Sequence, residues 1–175
     1  MQEGCEVRTM REDELDAVLA VQALCYPPSM QEPAAVVLAR LRTAPTTTLV
    51  AGEGGTVRAY LFAYPSRLGR ITPLAAPFVP APLPDTLYLH DLAVAPQALG
   101  RGLGRRLVQR LLDGAAACGL RHAALVSVQD TRRFWEGLGF QVDGARPRCE
   151  ALASYPGGAV YMTRHLADRK PLSPC

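Results

Sequence analysis

A stretch with three glycines at alternate positions, QALGRGLGRRLV (residues 97–108), is where the sequence most clearly indicates chemistry. A glycine inside a helix costs roughly 0.5–1 kcal/mol of stability, so three of them at the start of a helical pattern indicate that bare backbone is needed there. A helix N-terminus presents unpaired N–H groups and about half a positive charge, which suits a phosphate. We therefore expect Gly100, Gly102 and Gly104 to let phosphate oxygens approach the backbone.

The same glycines also fit a tight strand-to-helix turn that binds nothing, and that alternative stays open. Two other phosphate-binding motifs are absent from this stretch. A dinucleotide-binding G-x-G-x-x-G needs its third glycine where Arg105 or Leu107 stands, and no P-loop G-x-x-x-x-G-K-[ST] occurs. Arg101 and Arg105 add two positive charges beside the turn. The functional interpretation is therefore an anion-binding turn of another kind.

The strand-like segment TLYLHDLAV brings a histidine close to that turn. An alkylammonium, with a pKa of about 10, must lose a proton before its nitrogen can attack a carbonyl, and an imidazole with an ordinary pKa of about 6.5 can accept it. His90 is therefore the candidate base, although a single histidine on an apolar strand is often a hydrogen-bonded core residue. Asp91 is expected to tie down the backbone or the arginine-rich helix rather than to react.

Metal chemistry is not indicated. The five cysteines are widely scattered without a C-x-x-C pair, and the three histidines do not cluster with them. Metal sites usually show close ligand spacing, so we expect no metal.

Apolar periodicity predicts the elements that position these residues. A short strand, CEVRT, precedes two helices, whose starts are predicted from capping-box spacing at Thr9 and Glu12 and at Ser29 and Glu32. The segment TTTLVAGEGGTVRAYLFAY is typical of a hairpin with its turn at EGG. A proline-rich loop follows at about 65–84.

Strand and helix patterns alternate in the second half of the chain. Their order is the strand TLYLHDLAV, a helix that ends near Gly119, the strand AALVSV, the short helix TRRFWEGL, a strand start at GFQVD, the strand AVYMTRHL and a tail at about 167–175. This order predicts a single domain over 1–175 of class α/β (α+β), a mixed sheet with helices on both faces.

The composition is that of an ordinary globular chain, 49% hydrophobic and 20% charged over 175 residues. A net charge of +3 is too weak to indicate a nucleic-acid partner. No apolar stretch approaches the roughly 20 residues of a membrane-spanning helix, and the charged N-terminal segment lacks the apolar core of a secretion signal. We expect a cytoplasmic protein with neither nucleic acid nor membrane as a partner.

The glycine stretch and its flanks resemble a known family. LAVAPQALGRGLGRRLV, followed at 134–140 by FWEGLGF, resembles the GNAT superfamily of acetyl-CoA-dependent N-acetyltransferases. The signature of that superfamily is a strand ending in V-x-P, then [QR]-x-x-G-x-[GA], then an aromatic before a terminal GF. Leu99 stands where the first motif position has Gln or Arg. The resemblance implies a mostly antiparallel sheet with a splayed central parallel pair, YLHDLAV against AALVSV.

The resemblance also implies how acetyl-CoA is bound and coenzyme A released. Backbone amides from Leu99 to Gly104 would hold the pyrophosphate, and the pantetheine arm would lie between the splayed strands. A strand N–H near Leu92 would stabilise the oxyanion. The implied cofactor-binding residues are Leu92, Ala93, Val94, Leu99, Gly100, Arg101, Gly102, Leu103, Gly104, Arg105, Phe134 and Trp135.

Within the superfamily the chain is most similar to the arylalkylamine N-acetyltransferase type. That group carries two histidines two residues apart on this strand, where His90 matches the second and Tyr88 stands in place of the first. The tyrosine general acid of the group is replaced by Trp135, which cannot donate a proton in the same way. Tyr155 and Tyr161 are the remaining candidates for the acid. Spacing does not choose between these two tyrosines, and the candidate catalytic residues are His90, Tyr88 and Tyr155.

The expected function is transfer of an acetyl group from acetyl-CoA to the primary amine of a small molecule, an arylalkylamine being one candidate. The alternatives are a protein or peptide acetyltransferase acting on lysine or an N-terminus, and a non-catalytic acyl-CoA-binding module. A pocket closed by the 65–84 loop would favour the small amine, whereas an open groove would favour a peptide. A homodimer is compatible with this expectation.

Overall fold

A computed structural model describes residues 4–144 and 150–166, and these residues form one mixed sheet. Its strands are β1 (Glu6–Thr9), β2 (Thr48–Glu53), β3 (Thr56–Ser66), β4 (Thr86–Val94), β5 (His122–Ser127), β6 (Gln141–Val142) and β7 (Val160–His165). The strand order is β1-β2-β3-β4-β5-β7-β6. Every neighbouring pair is antiparallel except β4 and β5, which run parallel. The predicted class, a mixed and mostly antiparallel sheet, is confirmed.

Helices cover both faces of the sheet, as predicted. They are α1 (Leu15–Cys25), α2 (Ala34–Thr43), α3 (Leu103–Ala117), α4 (Arg132–Glu136) and α5 (Glu150–Ala153). One apolar cluster joins α1 and α2 to the sheet through residues such as Val18 and Val37. The other joins α3 and α4 to the opposite face through Leu107 and Trp135. None of these helices is both long and apolar enough to cross a membrane.

The hairpin of β2 and β3 forms as predicted. Gly54 and Gly55 have φ values of 54° and 78°, the left-handed conformation that a two-residue hairpin turn requires and that glycine adopts at little cost.

The two predicted helix starts are wrong, because both helices begin later in the chain than predicted. Glu12 is the first residue of a short 3-10 turn. The capping-box contacts at this turn are made instead between Arg11 and Glu14, where the N–H of Arg11 donates to Glu14 Oε2 at 2.9 Å. The helix α2 begins only after Pro33, so Glu32 lies before the helix rather than in its first turn. A residue that precedes proline is pushed into an extended conformation. Glu32 therefore cannot cap this helix, and its side chain reaches the sheet.

The strand β4 loses its partner halfway along. It pairs with β5 from Thr86 to Leu89 only, although β4 itself continues to Val94. The splayed parallel pair implied by the resemblance is thus confirmed. Beyond Leu89 no strand formed by residues 4–144 or 150–166 lies beside the edge of β4 that faces β5.

The strand β4 also contains a β-bulge at His90. Leu89 pairs with Ala63 of β3 and Asp91 pairs with the next residue, Phe62, so that His90 is the extra residue. A bulge breaks the strict alternation of side chains along a strand. As a result the consecutive side chains of His90 and Asp91 both lie on the face covered by α1 and α2, where they contact Glu32 and Tyr60.

Candidate active site

A cleft with a volume of about 680 Å³ opens between the splayed ends of β4 and β5. The turn that precedes α3 forms one end of it. The other end lies at the bulge of β4 and is lined by Tyr26, Glu32, His90, Asp91 and Tyr155. The cleft therefore connects the two groups of residues that the sequence indicated separately.

The turn at residues 99–105 presents free backbone N–H groups to the cleft. The N–H groups of residues 100–105 make no hydrogen bond with any described residue, and that of Arg106 is the first to donate within the helix, to the carbonyl of Gly102 at 3.1 Å. The first N–H groups of a helix lack partners within the helix, and no side chain caps them here. The turn thus has the geometry of an anion-binding site.

The three glycines of this turn serve two different purposes. Gly100 and Gly102 have φ values of 76° and 74°, and a Cβ at either position would meet open space. Gly104 is helical, and a Cβ there would lie 3.4 Å from Phe134 and 3.5 Å from Val94. Gly104 therefore serves close packing of α3 on the sheet, rather than the phosphate access that we expected of all three glycines.

The other residues predicted around the cofactor line the same end of the cleft, with one exception. Leu99 is 65% exposed and Leu103 is buried, and the side chains of Phe134 and Trp135 also line this end of the cleft. The Arg105 guanidinium donates to the carbonyl of Gly137 at 3.2 Å. Arg101 is not part of the lining; it forms an exposed ion pair with Glu53 of β2, in which one N–O distance is 2.9 Å.

The free edge of β4 supplies two further backbone N–H groups. The N–H of Ala95 donates to Arg58 O on the β3 side at 2.8 Å. Polar groups of successive residues alternate between the two edges of a strand, so those of Leu92 and Val94 face the cleft. Two residues at the end of α1 use the carbonyls: the Tyr26 hydroxyl donates to Leu92 O at 2.8 Å, and the Cys25 thiol to Val94 O at 3.2 Å.

The closed end of the cleft contains a buried carboxylate and imidazole in contact. His90 Nε2 lies 3.3 Å from both carboxylate oxygens of Glu32, and these two side chains are only 1% and 5% exposed. On the other side of the ring, Nδ1 lies 3.4 Å from the Tyr155 hydroxyl. Glu32, His90 and Tyr155 therefore form one chain of polar contacts, and both ring nitrogens of His90 are engaged within it.

Glu32 is held from several directions. The Gln22 side chain hydrogen-bonds both the N–H and the carbonyl of Glu32 at 3.1 Å. Its carboxylate accepts from the buried Arg40 guanidinium and, at 2.9 Å, from the N–H of Ala75. Burial by itself raises the pKa of Glu32, but the hydrogen bonds and charges of His90 and Arg40 outweigh it and lower the pKa to about 2. Glu32 is therefore ionised at neutral pH.

The segment at residues 67–85, which contains no helix or strand, is held over this end of the cleft by hydrogen bonds. Its backbone is hydrogen-bonded by side chains from other parts of the chain: Tyr161 to Gly69, Tyr155 to Thr72, Ser154 to Leu74, Glu32 to Ala75 and Arg40 to Ala76. Ala75 has a φ of 59°, a conformation that costs a non-glycine residue about 1 kcal/mol or more. The N–H that donates to Glu32 therefore belongs to a residue with a strained backbone.

The tyrosines considered as the acid lie in different places. Tyr155 lines the cleft, and its hydroxyl donates to Thr72 O at 2.7 Å. Burial raises the pKa of Tyr155 well above its ordinary value, so the hydroxyl is protonated at neutral pH. The hydroxyl of Tyr161 accepts from Gly69, and Tyr161 is not among the residues that line the cleft. Tyr88 is 1% exposed and packs behind His90, with 6.2 Å between ring centroids, so it does not reach the cleft surface either.

Two residues at this site were not identified from the sequence as functional. Glu32 was interpreted as a helix cap, although the proline after it was a signal against that. Arg40 lies on α2, where an arginine is ordinarily solvated, yet its side chain is 1% exposed. Tyr26 lies in the segment CYPPSM, which weakly resembles the amine-pocket loop of the arylalkylamine group, and it lines the cleft. No grouping of His, Cys, Asp and Glu that could hold a metal ion occurs in the parts of the chain that the structure describes.

Comparisons with known proteins agree with this architecture. The family model for GNAT family acetyltransferases matches residues 15–140. No curated protein sequence matches the chain significantly. Among solved structures, the GNAT-like decarboxylase GphF in complex with isobutyryl-CoA is 21% identical, with a TM-score of 0.77 over 93% of this chain and 100% of that one.

Two further solved structures show the same fold. The loading GNATL domain of CurA from Lyngbya majuscula is 15% identical, with a TM-score of 0.78 over 95% of this chain and 100% of that one. The ribosomal-protein-S18-alanine N-acetyltransferase from Escherichia coli is also 15% identical, with a TM-score of 0.67 over 97% and 99% of the two chains. The family match spans most of the chain and includes the glycine turn, the splayed strands and α4. The protein therefore belongs to the GNAT family of acetyltransferases and is an acyl-CoA N-acyltransferase.

Proposed function

We propose that the protein transfers an acetyl group from acetyl-CoA to the primary amine of a small molecule, by direct attack of the amine on the thioester. The observation that carries this proposal is the single cleft that runs from the glycine turn to the Glu32–His90–Tyr155 chain. One end offers unpaired amides to a phosphate, and the other offers groups that can move a proton. An arylalkylamine is the acceptor that the sequence resemblance favours.

In this proposal acetyl-CoA lies along the free edge of β4. The unpaired amides of residues 100–104 hold the pyrophosphate, and the pantetheine arm passes between β4 and β5, against Ala93, Val94, Phe134 and Trp135. The N–H of Leu92 faces the cleft and is free of β3, so it is placed to donate to the oxygen of the tetrahedral intermediate. One such preorganised donor typically contributes about 2.7–4 kcal/mol to transition-state stabilisation.

The proton of the ammonium leaves through Tyr155 and His90. In this step the Tyr155 hydroxyl turns from Thr72 O, to which it donates at 2.7 Å, toward Nδ1 of His90, 3.4 Å away. It then gives its own proton to Nδ1 as it accepts the proton of the ammonium. The ionised Glu32 at Nε2 stabilises the imidazolium that results, as the carboxylate of a catalytic triad does. When the intermediate collapses, the proton returns through Tyr155 to the coenzyme A sulfur, and the remaining ammonium proton on the new amide nitrogen leaves to solvent. Tyr88 supports the His90 ring from behind.

The fastened segment at residues 67–85 favours a small acceptor over a peptide. Leu74 of this segment lines the cleft, and Phe78 packs edge-on against the His90 ring, with 5.5 Å between centroids. Side chains from four other parts of the chain hold the segment in this position. A peptide acceptor needs a groove that is open on both sides of the reacting amine, whereas here one side is covered.

Decarboxylation, the activity in the name of one structural neighbour, is less well supported. A decarboxylase must hold a carboxylate. The guanidinium of Arg40 is already paired with Glu32, and Arg105 lies at the opposite end of the cleft. The charges near His90 therefore suit a cationic substrate better than an anionic one.

The test is an acceptor panel. The purified protein is incubated with acetyl-CoA and, separately, with small primary amines and with peptides that carry a free N-terminus or a lysine, and free coenzyme A is measured with a thiol reagent. We expect release above the amine-free control with small amines, and none with the variant Gly102→Asp. Release with peptides alone would overturn the proposal, as would acetyl-CoA binding without release for any amine. Cytoplasmic residence and a homodimer stay predictions.

A further inference from the structure

We propose that Asp91 holds the ammonium group of the acceptor, and that the site thereby selects amines without a carboxylate over amino acids. This inference rests on the proposed function and names the specificity-determining residue of the same site. It assigns to Asp91 a role in binding, where the sequence indicated only a structural one.

The bulge of β4 is what brings Asp91 to the cleft. If the side chains alternated regularly through His90, that of Asp91 would lie on the face covered by α3. Instead it shares a face with His90 and lines the cleft. The Tyr60 hydroxyl donates to Asp91 Oδ2 at 2.9 Å and fixes the carboxylate in place.

The second oxygen of this carboxylate is available to a ligand. No hydrogen bond to Asp91 Oδ1 is formed by any side chain or N–H within residues 4–144 and 150–166. The Tyr26 hydroxyl lies close to Asp91 and acts to lower its pKa. The single proton of that hydroxyl, however, goes to Leu92 O at 2.8 Å. By contrast, both oxygens of the neighbouring Glu32 are taken by His90, Arg40 and Ala75.

The remaining charges make this end of the cleft selective for a cation. Among the described lining residues the basic side chains are His90, with both ring nitrogens engaged, and Arg105, at the far end beside the glycine turn. A partly buried carboxylate without a full set of hydrogen bonds gains from an ammonium partner. Burial raises the pKa of Asp91, and an ammonium beside it would favour the ionised form.

An amino acid would be rejected for the same physical reason. Its α-carboxylate lies two bonds from the reacting nitrogen and would enter the space beside Asp91 with no cation to meet it. Like charges in a partly dry site repel each other, and the carboxylate would lose its hydration as well. Discrimination of this kind works by repulsion and does not require a close fit to one particular amine.

The experiment compares matched pairs that differ by one carboxylate: phenethylamine with phenylalanine, histamine with histidine, and tryptamine with tryptophan. Phenylalaninamide, which keeps the bulk without the charge, separates charge from size. For the best pair we expect the wild type to prefer the amine by about 100-fold or more in kcat/KM, with the amide much closer to the amine. This comparison needs only the wild-type protein and is independent of how any variant folds.

The variant Asp91→Asn then tests the residue itself. We expect KM for the preferred amine to rise by about 10- to 100-fold, the usual effect of losing a hydrogen bond to a charged group, with kcat changed much less. The thermal shift produced by acetyl-CoA should be unchanged, and the preference for the amine over its amino acid should narrow. Asp113→Asn, on the outer surface of α3, is the matched control and should behave as wild type.

The outcomes separate this inference from the proposed function. If amines and amino acids of a pair are acetylated equally well, or if Asp91→Asn folds and keeps the wild-type KM, the inference is wrong while the proposed function stands. If no member of any pair is acetylated, although acetyl-CoA produces its thermal shift, both are wrong.

Discussion

Replacing Glu32 by Gln tests the buried contacts that Glu32 makes with Arg40 and His90. The side chains of Glu32, Arg40 and His90 are 5%, 1% and 1% exposed. Gln keeps an acceptor oxygen for the N–H of Ala75, but it removes the charge between the other two groups. Breaking a buried ion pair by neutralising one partner typically costs about 3–5 kcal/mol.

The pKa of Glu32 gives an independent magnitude. Lowering that pKa from 4.5 in the unfolded chain to about 2 in the folded protein corresponds to about 3 kcal/mol of stability. A lowered pKa means that this stability is fully present above pH 4.5 and is lost as the pH falls toward 2. In a protein of this size about 3 kcal/mol amounts to roughly 6–12 °C in Tm.

Thermal unfolding of wild type and E32Q between pH 7 and pH 2 is the assay. We expect E32Q to melt several degrees lower at pH 7, and the gap between the two proteins to narrow as the pH falls below 4.5. The control is E12Q, because Glu12 also pairs with an arginine, Arg42, but at the surface, where the two side chains are 54% and 60% exposed. E12Q should differ little from wild type at any pH.

E32Q should also lower the catalytic activity. Without an anion at Nε2 the imidazolium of His90 is not stabilised, so kcat should fall by about 10²-fold or more, the range for losing acid–base help. E12Q should keep the wild-type kcat. If E32Q keeps both the wild-type Tm at pH 7 and the wild-type kcat, Glu32 neither stabilises the fold nor supports His90.

The remaining predictions concern the cofactor turn and the proton path. Acetyl-CoA should raise the Tm of wild type and of Gly102→Asn but not of Gly102→Asp, because Asn and Asp fit the left-handed φ of 74° about equally well and only Asp brings a negative charge to the phosphates; equal shifts in the two variants would remove the phosphate assignment. His90→Gln and Tyr155→Phe should each lower kcat/KM by roughly 10²–10³-fold at neutral pH, and the loss should shrink as the pH approaches the pKa of the amine; a folded variant with the wild-type pH–rate profile would exclude that residue from the proton path.

The elements that position the site were predictable where a segment's own residues decide its structure. β4 covers the segment TLYLHDLAV from Thr86 to Val94 as predicted, because a short and mostly apolar run bounded by loops has few alternatives. The turn before α3 was predictable for a related reason. Few residues other than glycine adopt the φ that Gly100 and Gly102 have.

The geometry of the closed end depends on contacts between distant segments and was not predictable in this way. The bulge at His90 is set by the register between β3 and β4, which no local pattern records. Spacing gave Glu32 the role of a capping residue, and the proline that follows it overrode that role. Nor did spacing distinguish Tyr155 from Tyr161, since which hydroxyl reaches His90 is decided by how β7 and the segment around α5 pack.

A crystal structure with a bisubstrate analogue, in which coenzyme A is joined through an acetyl link to phenethylamine, would locate both substrates in the cleft. We expect the pyrophosphate on the amides of residues 100–104 and the acetyl oxygen within about 3 Å of the Leu92 nitrogen, the distance of an oxyanion donor. The amine nitrogen should lie beside Tyr155 and Asp91 at the closed end of the cleft. An analogue bound with its pyrophosphate away from the glycine turn would overturn the phosphate assignment, and one with its amine end outside the segment at 67–85 would overturn the proposed acceptor site.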